Sequence, residues 1–158
     1  MSANPLDRVL FIPSRHDRFA AERGHGISRL KFRLSSVDTD GRLFLTEQTM
    51  LAKGGPPRHL HHEQDEWFYI LEGEFIIEVG VQRYTLNPGD SVFAPRKIPH
   101  VWANVGSPPG RILIAFTPAG AMEAFFDLTT KANAMPGLDP DLWRAHGMEV
   151  VGPPLAIG

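Results

Sequence analysis

Between Pro57 and Phe116 the chain never runs long enough without a turn signal to form a helix. Short apolar-rich runs follow one another instead: Arg58 to His61, Glu66 to Leu71, Glu74 to Val79, Gln82 to Leu86, Ser91 to Ala94, His100 to Asn104 and Arg111 to Thr117, separated by Gly, Pro, Asn and Asp. Regularly spaced short strands of this kind predict a β-sandwich or barrel. Strand periodicity also orients individual residues. In the run from Glu74, Phe75, Ile77 and Val79 alternate with Glu74, Ile76 and Glu78, so the first set is expected to face inward.

One stretch in this series carries chemistry. In GGPPRHLHHEQDEWFYILEG, from Gly54 to Gly73, His59 and His61 are two apart and share one face of a strand, with Leu60 on the other. Polar, turn-tolerant residues then lead to Glu66. If the chain doubles back there as a hairpin, Glu66 lies beside His61 on the neighbouring strand, roughly 5 Å away. Two imidazoles and a carboxylate on one face suit a borderline divalent metal. Downstream, GDSVFAPRKIPHVWAN, from Gly89 to Asn104, reads as a short strand, a turn punctuated by Pro95 and Pro99, and a second strand on which His100, Trp102 and Asn104 share a face.

These residues resemble the two motifs of the cupin superfamily. His59, His61, Glu66 and Gly73 fall at the spacing of the first motif, and Gly89, Pro95, His100 and Asn104 at that of the second. Two positions depart from the pattern. Gly54 stands one residue closer to His59 than the motif has it. Lys97 replaces a turn glycine, so the turn is built either without a glycine conformation or with Lys97 at positive φ. The flanks, LTEQTMLAKGGPP before the histidines and TPAGAMEAFF after the barrel, are similar more loosely to single-domain, quercetin dioxygenase-like members. The resemblance implies an all-β fold: a single cupin jelly-roll barrel over residues 29–117, an N-terminal arm over 1–28, and a C-terminal helical segment and tail over 118–158 packed outside. It also implies His59, His61, Glu66 and His100 as ligands of one divalent transition metal ion, with iron, manganese, nickel, cobalt, copper and zinc all open. Asp65 is the rival to Glu66, because the first motif permits a gap one residue shorter.

Composition narrows the function classes. A chain of 158 residues with 42% hydrophobic content fits one soluble domain. Net charge is −2 with no block of like charges, which gives no electrostatic case for nucleic acid or an anionic membrane. There is no cysteine, so thiolate ligands and thiol nucleophiles are excluded. The early apolar cluster VLFI, Val9 to Ile12, is too short for a signal or spanning segment, and the expected location is cytoplasmic.

Outside the motifs, a short strand is expected around Leu6 to Ile12, and strands from Leu30 to Ser35 and Arg42 to Met50 joined by the turn Asp38 to Gly41. After the barrel, Met122, Phe125, Phe126 and Thr129 recur at helical spacing within Ala119 to Ala132. Asp139 and Pro140 are the expected N-cap and first residue of a short helix through His146. The run from Glu66 to Leu71 is apolar on both faces, Trp67, Tyr69 and Leu71 opposing Phe68 and Ile70, which predicts a covering surface and hence a homodimer.

Three imidazoles and a carboxylate leave a divalent ion with net charge near +1 and positions for water, oxygen or substrate. By resemblance to quercetinases, Glu66 would both ligate the ion and accept a proton from an enolisable or aromatic, flavonol-like substrate, in a pocket walled by Phe68, Ile70 and Trp102. A binding or metal-storage module without turnover, and a non-redox isomerase or decarboxylase, are the other readings. Glu47 and Gln48 lie on opposite faces of one strand, and either could reach the pocket.

Overall fold

Two antiparallel sheets face each other across an aromatic core. The computed structural model describes residues 7–131 and 139–157. Its strands are β1 (Arg23–His25), β2 (Ser28–Leu34), β3 (Phe44–Met50), β4 (Pro57–His61), β5 (Asp65–Glu72), β6 (Phe75–Val79), β7 (Gln82–Leu86), β8 (Ser91–Ala94), β9 (His100–Asn104), β10 (Gly110–Thr117) and β11 (Met148–Pro154). Helices α1 (Met122–Lys131) and α2 (Pro140–Ala145) separate the last two strands. One sheet has the order β1-β2-β3-β10-β5-β8 and the other β11-β4-β9-β6-β7. The architecture is an all-β jelly-roll.

Inward-facing side chains fill the space between the sheets. Phe32, Phe44, Phe68, Phe75, Phe116, Ile70 and Ile77 are fully buried, and each such ring or aliphatic chain removed from water contributes about 1.5–3 kcal/mol. The expected alternation holds in β6, where Phe75 and Ile77 are buried and Val79 packs at the core's margin. Phe44 stacks on Phe116 at 5.8 Å, and Phe32 meets Phe44 edge-on at 5.0 Å.

The connection between β4 and β5 is not a hairpin. These strands belong to different sheets, so His62 to Gln64 form a corner that carries the chain across the sandwich. His62 and Glu63 face solvent as a turn should, but Gln64 is buried, seated against Gly120, where a Cβ would stand 2.1 Å from its Nε2.

The sheets extend past both ends of the expected barrel. β1 adds a strand to one sheet, and β11 pairs with β4, setting Val150 opposite His59 and Met148 opposite His61. β11 holds Pro153 and Pro154 because it is an edge strand, where a missing N–H breaks no ladder on the open side. No regular strand forms over residues 8–12, and Leu6 lies outside the described residues. The arm is tied down by polar contacts instead: Arg33 donates to the carbonyls of Ile12 and Pro13 at 3.0 and 2.8 Å. Asp17 is its deepest anchor, accepting from the backbone N–H groups of Phe19 (2.9 Å), Ala21 (3.2 Å) and Phe32 (2.8 Å) and from Arg23 Nε (2.8 Å).

The helices form where periodicity and capping place them. Met122, Phe125, Phe126 and Thr129 are the buried stripe of α1, while Ala132 lies outside the described residues. Asp139 caps α2 through Leu142 N, with Pro140 in its first turn. Met122, Phe125 and Phe126 of α1 and Trp143 of α2 line the cavity at the end where His59 and His61 stand. No helix among the described residues is long and apolar enough to cross a membrane. On the outer face of the six-stranded sheet Trp67 and Phe93 are opposite each other in register and both exposed, with Tyr69 stacked 5.5 Å from Trp67.

Candidate metal centre

The two sheets each bring part of one cluster. β4 carries His59 and His61, its neighbour β9 carries His100 directly opposite His59, and β5 in the other sheet carries Glu66. The expectation that Glu66 stands beside His61 in a hairpin is corrected: the carboxylate reaches His61 across the sandwich, not along a ladder. One ligand atom from each residue lies within 4.8 Å of the others, and all four side chains are buried. Asp65 does not compete. It faces the other way, holding Arg96 through its N–H at 2.9 Å and its guanidinium at 3.2 Å.

The geometry within the cluster is that of donors aimed at a common point. His61 Nε2 is 2.9 Å and His100 Nε2 2.6 Å from Glu66 Oε2. Those distances suit hydrogen bonds, yet the directions do not, and all three atoms are buried without a hydrogen-bond partner among the described residues. Buried polar atoms are rarely left so; an ion bound between them satisfies all three. His59 is oriented by its other nitrogen, Nδ1 lying 2.7 Å from the Pro57 carbonyl, which leaves Nε2 for the cluster.

Electrostatics favour the ligating forms. Burial pushes His59 down to about 3, with His100 and His61 adding to the effect, so its imidazole is neutral. Burial would raise the Glu66 carboxyl, but the adjoining His61 and His100 outweigh it and hold it well below the usual carboxylate range. Three imidazoles and one carboxylate are a donor set that fits a divalent transition metal.

The turns beside the cluster explain both departures from the motif. Lys97 takes φ +69°, the left-handed conformation a glycine would supply, and its N–H donates to the His61 carbonyl at 2.7 Å. Gly54 exchanges backbone hydrogen bonds of 3.0 and 2.9 Å with Asn104. At Gly55 a Cβ would stand 1.9 Å from the Trp102 carbonyl oxygen, so only glycine lets this loop approach β9. Asn104 is structural, its Nδ2 donating to the Ala52 carbonyl at 3.2 Å.

A cavity opens from the cluster toward the helices. It is lined by His59, His61 and Glu66 at one end, and by Trp102, Gln48 and the aromatic face of α1 and α2 elsewhere. The cavity is small, about 40 Å³. Of the expected pocket residues, Trp102 lines the cavity, whereas Phe68 and Ile70 do not. Each step of two residues along β5 carries the side chain roughly 7 Å further from Glu66, and both side chains end in the filled core. Gln48 is the member of its pair that reaches the cavity; Glu47 points the other way, 3.2 Å from Arg111.

Periodicity did not reveal the wall supplied by the flanks. His25 from β1, Met122, Phe125 and Phe126 from α1, Trp143 from α2 and Met148 from β11 all line the cavity. The helical stripe of α1 was visible, but nothing local says that it faces a pocket. Trp143 and Met148 sit in short elements with little pattern of their own.

Residues 46–116 match the family described as Cupin domain. The architecture is the all-β cupin jelly-roll, and the domain match with this fold supports the chain's place in the cupin superfamily. Among curated proteins, an uncharacterized protein of Methanocaldococcus jannaschii, MJ1618, is 33% identical over 60 residues, 38% of this chain and 48% of that one. The chain thus spans about half the length of that relative. Among solved structures, KdgF from Halomonas sp. superposes with a TM-score of 0.58 at 22% identity, covering 70% of this chain and 94% of that one. An RmlC-like cupin from Shewanella frigidimarina gives 0.52 at 23%, covering 63% and 84%. Pac13, a nucleoside dehydratase, gives 0.51 at 8%, covering 62% and 75%. At these identities the likeness is one of fold.

Proposed function

We propose that this cupin is a metal-dependent enzyme of the dioxygenase type, acting on a small enolisable substrate at the His59, His61, Glu66, His100 centre. The observation that carries the reading is the convergence of four buried ligand atoms within 4.8 Å, three of them without hydrogen-bond partners. A divalent ion held there would supply Lewis acidity to a substrate oxygen. Glu66 is the group placed to accept the proton of a substrate hydroxyl, being the one carboxylate among the cavity-lining residues. Pro57 fixes His59, and all four ligand side chains are buried.

Cavity size favours the smaller end of the substrate range. A cavity of about 40 Å³ is too small for a three-ring flavonol while α1 and α2 stay where they are, so a single-ring or short-chain enolisable compound is the better fit. The test is elemental analysis of protein purified without chelator, beside the His61→Ala, Glu66→Ala double variant, followed by oxygen uptake with enolisable compounds. Near-stoichiometric redox metal lost in the variant, with substrate-dependent oxygen consumption, supports the reading. Zinc, or turnover without oxygen, moves it to isomerase or decarboxylase chemistry. Metal bound without turnover leaves a binding module.

The exposed Trp67 and Phe93 on the outer sheet face are offered as the contact of a homodimer. Sedimentation of wild type against Trp67→Lys tests it, a monomer in both rejecting it.

A further inference from the structure

Two cavity-lining residues carry polar atoms that the metal centre does not use. His25 and Trp143 are each more than nine-tenths buried, and His25 Nε2 and Trp143 Nε1 have no hydrogen-bond partner among the described residues. They come from opposite ends of the chain and flank the same aromatic pair on α1. His25 stands edge-on to Phe126 at 5.7 Å, Trp143 packs on Phe125 at 5.3 Å, and Phe125 meets Phe126 at 5.5 Å. Trp143 also lies 5.0 Å from the His59 ring, so this wall adjoins the metal centre. A buried polar atom left unpaired, donor or acceptor, is costly. Two of them on one cavity wall are therefore better explained by a ligand than by packing.

Resting on the metal-centre reading, we propose that His25 and Trp143 are hydrogen-bonding anchors for the substrate: one end of a small oxygenated molecule binds at the metal, a hydroxyl meets His25, and an acceptor oxygen meets Trp143. The indole N–H can only donate, which requires an acceptor opposite it. Burial pushes His25 down to about 4, so the imidazole is neutral, and Nε2 either donates or accepts according to tautomer. A hydroxyl serves both cases. Apolar walls of Phe125, Phe126, Met122 and Trp102 accept a flat carbon frame. The division of labour follows the chain: the metal ligands lie within residues 46–116, and both anchors lie outside them.

Kojic acid and allomaltol test the assignment, since these hydroxypyranones chelate through the same two oxygens and differ by a single hydroxyl on the far methyl carbon. Each is titrated into cobalt(II)-loaded protein and followed by the visible cobalt absorption, with metal content measured separately. In wild type, kojic acid should bind at least about tenfold more tightly than allomaltol, because the extra hydroxyl pairs a buried group. In His25→Phe the two should bind within about twofold of each other, and His25→Gln should restore part of the preference. Trp143→Phe should weaken both alike. A wild-type preference under about twofold, a preference that survives His25→Phe, or a cobalt spectrum that neither pyranone moves overturns the proposal while leaving the metal centre standing. Failure of the wild type to bind cobalt overturns the metal centre and the proposal together. If His25→Phe does not fold, as judged by circular dichroism, His25→Gln and Trp143→Phe carry the comparison.

Discussion

The indole of Trp143 stands at 62° to the imidazole of His59, with ring centroids 5.0 Å apart. A residue on the short helix α2 therefore touches a candidate metal ligand on β4, although the two are far apart in sequence.

That contact makes the protein its own metal indicator. Of its three tryptophans, Trp102 and Trp143 line the cavity and Trp67 is on the outer face. Adding copper(II) or cobalt(II) to apo protein should quench more than half of the emission of the cavity pair. Trp143→Phe should abolish most of the quenching while elemental analysis shows metal still bound. Emission of the wild type left unchanged by a bound metal would place the ion elsewhere.

Removing the metal should destabilise the fold. With no ion, the orphaned polar atoms of His61, Glu66 and His100 stay buried and unpaired. A metal present at a hundred times its Kd adds about 2.7 kcal/mol, which for a chain of this size raises Tm by roughly 5–10 °C. Calorimetry with and without chelator reads this directly. In Glu66→Gln, which keeps the shape but loses the anionic donor, the shift should shrink to less than half.

Asp17 should govern the acid limb of stability. Burial would raise its carboxyl, but the hydrogen bonds from Arg23 and from the N–H groups of Phe32, Phe19 and Ala21 prevail and hold it low. Because the folded value lies below the unfolded one, this contribution is complete above about pH 4 and is lost as pH falls through the folded value. Asp17→Asn should cost about 2–4 kcal/mol at neutral pH and flatten stability against pH below 4. Urea midpoints across pH 2–7 check both parts. An unchanged acid limb would mean that other carboxylates set it.

Lys97 offers a gain of function in stability. Its φ of +69° costs an L-residue about 1–2 kcal/mol, part of which glycine's greater unfolded-state freedom cancels. Lys97→Gly should therefore raise stability by about 0.5–1 kcal/mol, seen as a higher urea midpoint at unchanged slope, with the bond from residue 97 to the His61 carbonyl retained.

How much of this was visible beforehand depended on how local each signal was. His59, His61, Glu66 and His100 were legible because strand alternation and two short motifs fix which side chains share a face. The sheet to which Glu66 belongs was not, since a hairpin and a corner read the same from four polar residues. Lys97 left its two backbone options open, and the structure takes the strained one. The cavity's far wall was hidden for a different reason: the significance of His25 depends on Phe126, a hundred residues away, and neither end of the chain announces the other. Likewise β11 reads as a proline-rich tail until β4 is there to pair with it.

That last pairing sets an order of events during synthesis. β4, with His59 and His61, has β9 on one side and β11 on the other, and β11 follows every other described element along the chain. On the ribosome, all four ligands are made before α1, α2 and β11 exist. The wall that α1, α2 and β11 add to the cavity is therefore laid down only after the four residues of the cluster are already on the chain.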